Sequence, residues 1–414
     1  MKRILPFIIV LMILLNGCGN VSDKTSSGPE VTALCEQTVE QLHVSSDTEY
    51  DPLNYKVQSA IWFAVMGYDD ILTGKTEKEF TNCIIKQFNS VKEMGINTVY
   101  MHVRAYNDAY YKSDIFPLGA YCSSGIDYDP LEIMVREGHK LNLSVHAWIN
   151  PLRCQTDKQM EKLSNTFKVK QWYNDEDKRD KYIVNIKDRW YLNPAYEDVR
   201  AYIADGIREI VREYEVDGIH IDDYFYPTTN KDFDASAFKA SSSKDLSSWR
   251  LENINQLVKE MYDAVKKENS NVLFGISPQG SINADYKSQY ADVKKWASEE
   301  GYCDYIVPQI YFGFSNESCP FKETLGKWQE IKTCESVKLV AGICTYKIGK
   351  EDKWAGLGKN EWKKDSSIPA RQAEYALEKK VDGVAVYSYQ STFEENLNDE
   401  RESLGSVLRK ITGE

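Results

Sequence analysis

The segment Asp217-Gly-Ile-His-Ile-Asp-Asp-Tyr-Phe-Tyr-Pro227 carries three acids, two of them adjacent. Neighbouring carboxyls such as Asp222 and Asp223 suit cleavage of a glycosidic bond. That reaction needs one group to protonate the leaving oxygen and another to support an oxocarbenium-like transition state. Two like charges held together in a partly dry site push their pKa values apart, and the separation assigns the roles. Asp217 beside Gly218 reads equally as a turn, and Asp223 as a cap of the segment that follows. A second chemistry is also open. His102, His146 and His220 with Asp222 have the donor types of a zinc site, which would make a metal-dependent hydrolase or deacetylase. Against it stands the absence of any His-x-His pair on one strand, and no cofactor is otherwise called for.

Side chains this far apart in sequence meet only if regular elements carry them. Eight apolar, β-rich runs recur along the chain: Ala60–Met66, Asn97–Arg104, Leu143–Asn150, Val216–Asp222, Val272–Ser277, Asp304–Tyr311, Lys338–Cys344 and Gly383–Tyr389. Amphipathic helical patterns lie between most of them. Thr76-x-x-Glu79 is a capping box opening a helix with Phe80, Ile84, Phe88 and Val91 on one face. Asp129-Pro130 and Asn193-Pro194 each set an N-cap before a proline at the first helical position. Eight strands alternating with helices predict a closed (β/α)8 TIM barrel over residues 58–393, with a C-terminal helix over 394–414 packed on it. The longest loops follow strands three and four (Gln155–Trp190 and Pro227–Trp249), on the barrel end where such folds build their sites.

Strand alternation then sorts the faces. Val99, Met101 and Val103 oppose Tyr100, His102 and Arg104. Val145, Ala147 and Ile149 oppose His146, Trp148 and Asn150. Ile219 and Ile221 oppose His220 and Asp222, and Val384 and Val386 oppose Tyr387 and Tyr389. With the apolar sets under the helices, Arg104, Asn150, Asp222 and Tyr389 converge at the C-terminal mouth, joined by Gln309 and Tyr311. Arg104 suits a substrate carboxylate, such as a muramic lactyl group, or a pair with Asp222. Trp148, Tyr224, Tyr311 and Tyr387 suit stacking on pyranose rings or core packing. Asn150 and Gln309 suit sugar hydroxyls, His146 a substrate or carboxylate contact, and Asp108 a reserve acid or a turn.

Over Ile61–Gln390 the chain resembles the bacterial glycosyl hydrolase-like 10 family. The stretches that carry the likeness are Met94–Arg104, Asn107–Ser113, His146-Ala-Trp-Ile-Asn-Pro151, Asp217–Pro227, Gly275-Ile-Ser-Pro278, Pro308-Gln-Ile-Tyr311 and Asp382-Gly-Val. The resemblance implies a TIM barrel, often on a lipoprotein, that cuts peptidoglycan glycan strands stripped of stem peptides. Asp217-Gly-Ile-His-Ile-Asp222 is also similar to the Asp-Gly-x-Asp-x-Asp-x-Glu motif of chitinase-type glycosidases. In those, the substrate's own acetamido oxygen is the nucleophile, which would give Asp222 the acetamido group and Asp223 the acid role. The chain departs from that motif at His220 and Tyr224.

The N-terminus reads as an address. Lys2 and Arg3 precede the apolar run Ile4–Leu15, too short to span a bilayer comfortably. Leu15-Asn16-Gly17-Cys18 resembles a lipobox, so residues 1–17 read as a lipoprotein signal peptide, Cys18 as the lipidated residue and 18–57 as a polar tether. The expected place is the cell envelope, with a polysaccharide as partner and the membrane reached through the anchor. Disulfides are permitted there; Cys122–Cys154 and Cys319–Cys334 are candidate pairs, and a buried free thiol fits each equally. A net charge of −12 without a basic stripe excludes a nucleic-acid backbone binder, and 12% aromatic content excludes a disordered chain. A glycan-binding lipoprotein without catalysis is the reading outside enzymology, and the sequence carries no signature of an assembly state.

Overall fold

The computed structural model describes residues 50–122, 125–394 and 396–413. The leader, Cys18, Cys35 and the tether up to residue 49 lie outside the described residues. Eight parallel strands close a barrel in sequence order: β1 (Gln58–Phe63), β2 (Thr98–Arg104), β3 (Ser144–Ile149), β4 (Gly218–Ile221), β5 (Leu273–Ile276), β6 (Tyr305–Ile306), β7 (Lys338–Cys344) and β8 (Gly383–Tyr387). Helices α1 (Glu77–Glu93), α2 (Pro130–Lys140), α3 (Glu197–Glu213), α4 (Leu246–Glu268), α5 (Val293–Ser298), α6 (Phe321–Ile331), α7 (Ile368–Glu378) and α8 (Asn398–Thr412) follow the strands in turn. This is the (β/α)8 barrel that the alternation predicts. No helix among the described residues is long and apolar enough to cross a membrane.

Local chemistry explains most boundaries. Thr76 and Glu79 form the reciprocal capping box of α1, and Asp129 accepts from Leu131 and Glu132 N–H at the start of α2. The Asn193-Pro194 start is corrected: α3 begins at Glu197. Asn193 spends its carbonyl oxygen on Ala195 N–H and its amide on Lys181 O, which makes a turn rather than a cap. β6 is short because Pro308 has no N–H for the ladder; pairing resumes as single bridges from Gln309 to Gln279 and Gly342.

The interior of this barrel is unusual in being aromatic and polar. Trp62, Tyr100, Trp148, Tyr305 and Val307 fill it together with small Ala60, Ala64 and Ala385. Large rings need space, and two glycines supply it. A Cβ at Gly275 would meet the Tyr305 ring at 1.8 Å, and one at Gly218 would meet the His146 ring at 2.5 Å. The apolar strand faces (Val99, Met101, Val145, Ala147, Ile219, Ile221, Val384, Val386) pack under the helices, as alternation requires.

Three further features bear on the sequence reading. Residues 50–57, expected as tether, are seated on the barrel's N-terminal end through Asp217 and Asn54. The loop after β3 holds a small antiparallel sheet of Arg153–Thr156, Arg189–Leu192 and Ile183–Ile186, with Arg189–Leu192 central. Cys83, Cys122, Cys154, Cys303, Cys319, Cys334 and Cys344 are free thiols, so neither candidate disulfide is formed.

Candidate active site

The mouth is assembled on Trp148 of β3. Its ring stacks on His102 of β2, centroids 3.7 Å apart, and its Nε1–H donates to Asp222 Oδ2 at 3.1 Å. Asp222 follows the last residue of β4 and is buried, and its other oxygen, Oδ1, has no protein hydrogen-bond partner. Burial, then the neighbouring Asp223 charge, holds the Asp222 carboxyl well above the ordinary carboxylate range; Arg153, Trp148 and the Tyr224 N–H oppose that shift. Asp223 is also pushed up by burial, but Gln309 and Gln279 hydrogen-bond its carboxylate and offset part of the cost. Gln309 Nε2 reaches Asp223 Oδ1 at 3.3 Å. Both carboxyls are raised, and the push is larger on Asp222, which is the better suited of the two to hold a proton. With Oδ2 receiving the indole N–H, the Asp222 proton sits on Oδ1.

Other expected residues take their places around this pair. Asn150 lies beside His102, buried, with its side chain in reach of the imidazole, and apart from each other neither group has a protein hydrogen-bond partner. Tyr311 and Tyr387 face each other at 5.6 Å, Tyr346 meets both edge-on, and Tyr387 leans on Trp62 at 6.0 Å. All three tyrosines are half-buried, which gives the mouth an aromatic wall. Tyr224 is half-buried too, with the Arg153 guanidinium 4.1 Å over its ring.

Arg104 is a correction. The β2–β3 register shifts between His102 and Arg104, so Arg104 pairs with Ile149 and takes the outer face. Its guanidinium lies 4.3 Å over Phe116 and against Gly206 of α3, away from Asp222. Tyr389 is likewise outside: β8 ends at Tyr387, alternation ends with it, and Tyr389 stacks between Phe63 and Phe393. Asp108 does the work of a turn residue, its Oδ1 accepting from Ala105 and Tyr106 N–H at 3.1 and 2.8 Å.

His146 does not reach the mouth. It sits fully buried lower in the barrel, Nδ1 on Tyr305 Oη at 2.7 Å and Nε2 on Ser144 Oγ at 3.1 Å. His220 shares that network, Nε2 to Trp62 Nε1 at 3.0 Å and Nδ1 to Tyr305 Oη at 3.0 Å. An indole only donates, so His220 must accept at Nε2 and donate from Nδ1. Tyr305 then donates to His146 Nδ1, and His146 donates to Ser144. These nitrogens are committed to protein partners, and only His102 borders Asp222. Among the described residues no three His, Cys, Asp or Glu side chains gather to hold a metal ion. The metal-dependent reading is thereby set aside on geometry.

Sequence reasoning missed Arg153, Trp62, Gln279 and Tyr346. Arg153 stands two residues past Pro151 and two before the loop Gln155–Trp190 marked as site-building, and that proximity was the available signal. Trp62 was hidden in an apolar run, where nothing distinguishes an inward tryptophan from an outward one.

The model of the glycosyl hydrolase-like 10 family matches residues 57–356. The chain belongs to the glycosyl hydrolase-like 10 family. Two relatives sharpen the placement. Glycosyl hydrolase YngK of Bacillus subtilis (strain 168) is 33% identical over 319 residues, covering 70% of this chain and 61% of that protein. Glycosyl hydrolase DigH of Escherichia coli (strain K12) is 30% identical over 298 residues, covering 65% of this chain and 67% of that protein. The chain thus spans about six-tenths to two thirds of the length of these relatives. Among solved structures, the PgaB (BpsB) glycoside hydrolase domain from Bordetella bronchiseptica superposes with a TM-score of 0.58 at 10% identity, over 85% of this chain and 99% of that one. The endo-1,4-beta-mannanase from Rhizomucor miehei gives 0.53 at 9% identity, over 86% and 95%. At such identities the likeness is one of fold. For this glycosyl hydrolase-like 10 member it agrees with the closed barrel described above.

Proposed function

We propose that this protein is a glycoside hydrolase anchored in the cell envelope through a lipid on Cys18. Its substrate in this reading is the N-acetylated glycan strand of peptidoglycan stripped of stem peptides. The observation that carries the reading is Asp222, a buried carboxyl whose surroundings favour the protonated form, held by Trp148 at Oδ2 with Oδ1 unclaimed by the protein. Asp222 Oδ1–H protonates the glycosidic oxygen, and the Asp223 carboxylate stabilises positive charge developing on the sugar ring. Tyr311, Tyr346 and Tyr387 offer ring faces and edges for pyranoses; Asn150 and His102 offer donors and acceptors for their hydroxyls and acetamido groups. Relatives described as glycosyl hydrolases support a carbohydrate substrate.

The test is incubation of the mature protein, and of Asp222→Asn, with denuded peptidoglycan and with chitin oligomers, followed by mass analysis of products. New reducing ends from the wild type alone support the reading. Glycan retention with no cleavage by either protein leaves a silent binder instead. Cleavage of a strand lacking the 2-acetamido group excludes the acetamido oxygen as nucleophile.

A further inference from the structure

Arg153 is the cation of the mouth, and its setting is that of a recognition group. Its Cζ lies 4.1 Å from the centroid of the Tyr224 ring and 4.6 Å from that of Tyr106. A second guanidinium, Arg189, lies 4.2 Å over Tyr106 and donates from Nη1 to Cys154 O at 2.7 Å. Arg189 is therefore tied to the backbone, whereas Arg153 makes no hydrogen bond or ion pair to any described residue, and its Nε is buried without a partner. Rings against the guanidinium leave its N–H edge as the polar outlet. A planar, pre-positioned donor fork of this kind matches a carboxylate better than any neutral sugar group does.

Its neighbours argue against a purely internal role. Arg153 is close enough to Asp222, Asp223 and His102 for its charge to act on all three, yet no carboxylate oxygen lies within ion-pair distance of it among the described residues. A half-buried guanidinium that served only to neutralise the acid pair would be expected to hydrogen-bond one of them. Arg153 stands instead beside the pair with its donors unspent. It also occupies the role that the sequence suggested for Arg104, which the register shift in β2 removes to the outer face.

We propose that Arg153 is a specificity-determining residue that binds a carboxylate borne by the sugar at the mouth. In the glycan named above, this is the lactyl acid exposed when the stem peptide is removed. The proposal rests on the glycosidase reading and deepens it. A free acid offers two oxygens and a charge to the fork, whereas the same position linked as an amide offers neither. The enzyme would then select stripped strands by reading the acid rather than by excluding the peptide's bulk.

The experiment compares denuded strands with the same strands whose carboxyls are converted to methylamides, a change that adds little bulk. The enzymes are wild type, Arg153→Gln and Arg153→Lys, with melting temperatures recorded for each. Wild type is expected to favour the acid form by about tenfold or more in kcat/KM, equivalent to ~1.4 kcal/mol. The ratio is expected to fall to near one in Arg153→Gln and to an intermediate value in Arg153→Lys, which keeps charge without the fork. Any effect of Arg153 on the acid pair alters both substrates and cancels in the ratio. A ratio preserved in Arg153→Gln, or a wild type that treats acid and amide alike, overturns the proposal. If wild type cleaves neither strand, the glycosidase reading fails on its own. Titration of the soluble muramoyl disaccharide and its methylamide into the same proteins then decides the carboxylate question: tighter binding of the acid by wild type, lost in Arg153→Gln, supports it, and equal or no binding overturns it.

Discussion

Trp148 of β3 holds Asp222 beyond the end of β4 through one indole N–H, 3.1 Å from Oδ2. The bond does two things. It engages Oδ2 and leaves Oδ1 without a protein partner, and it favours the ionised form, opposing the burial that raises the Asp222 pKa. Trp148→Phe keeps a ring to stack on His102 and removes the donor. The Asp222 pKa then rises further, so the alkaline limb of the kcat/KM profile moves to higher pH. The loss of orientation lowers kcat by about tenfold. Profiles of both enzymes between pH 4 and 10 check this; an unmoved alkaline limb means that the indole does not tune the acid.

Asp222→Asn cannot deliver a proton, and kcat/KM should fall by roughly 10²–10⁴ in reducing-end release. Stability moves the other way. Asp222, Asp223 and Asp285 all have carboxyls raised by burial. A carboxyl whose folded pKa lies above its unfolded value supports folding below the ordinary aspartate range of about 4, and that support is lost as pH rises toward the folded pKa. The contribution of these three carboxyls therefore declines from about pH 4 upward. Asp222→Asn lacks one such contribution, so near neutral pH it should melt about 1–3 °C above wild type, and the two should converge near pH 4. Melts across that range decide it.

The fold was legible because the signals were local and redundant: eight β-rich runs, a capping box at Thr76, and the Asp129-Pro130 start. The mouth was legible in part. Alternation placed Trp148, Asn150, Asp222 and Tyr387 correctly, because each lies on an unbroken stretch of strand or at its end. It failed at Arg104, where a single register shift reverses the face, and at Tyr389, beyond the end of β8. Neither event has a composition of its own. Arg153 was out of reach for a different reason. Its partners Tyr106 and Tyr224 come from loops after β2 and β4, and only the closed barrel brings them to it.

The N-terminal end of the barrel is closed by Asp217, a residue of the same segment with no part in the mouth. Its Oδ1 accepts from Tyr50 Oη–H at 2.6 Å and Leu53 N–H at 2.5 Å, and its Oδ2 accepts from Val145 N–H at 2.6 Å with His139 Nε2 2.9 Å away. Charge-assisted bonds of this kind contribute about 1.5–3 kcal/mol each where buried. Asp217→Ala should lower stability by about 2–4 kcal/mol and release residues 50–57. Limited proteolysis should then nick that stretch while the barrel survives; equal resistance in the two proteins contradicts the role.

Buried rings in the lower barrel set the acid limit of the fold. Burial depresses His146 to about 4 and holds His220 well below its ordinary value, so both stay neutral. A histidine with a depressed folded pKa supports folding above its unfolded value near 6.5, and that support is lost as pH falls toward the folded value. The contribution of these two histidines should accordingly be lost as pH falls from about 6.5 to 4. Tyr305 links the two imidazoles, donating to one and accepting from the other. Tyr305→Phe keeps the ring that packs on Gly275 and deletes only the hydroxyl, which leaves the His220 Nδ1–H and the His146 Nδ1 lone pair buried without partners. The cost at neutral pH should be about 2–4 kcal/mol, read as a lower urea midpoint at unchanged slope. The orphaned Nδ1 of His146 then takes a proton more readily, so the acid loss of stability should begin at a higher pH in the variant than in wild type. A variant with the wild-type midpoint and the wild-type acid limb would mean that Tyr305 does not join the two histidines.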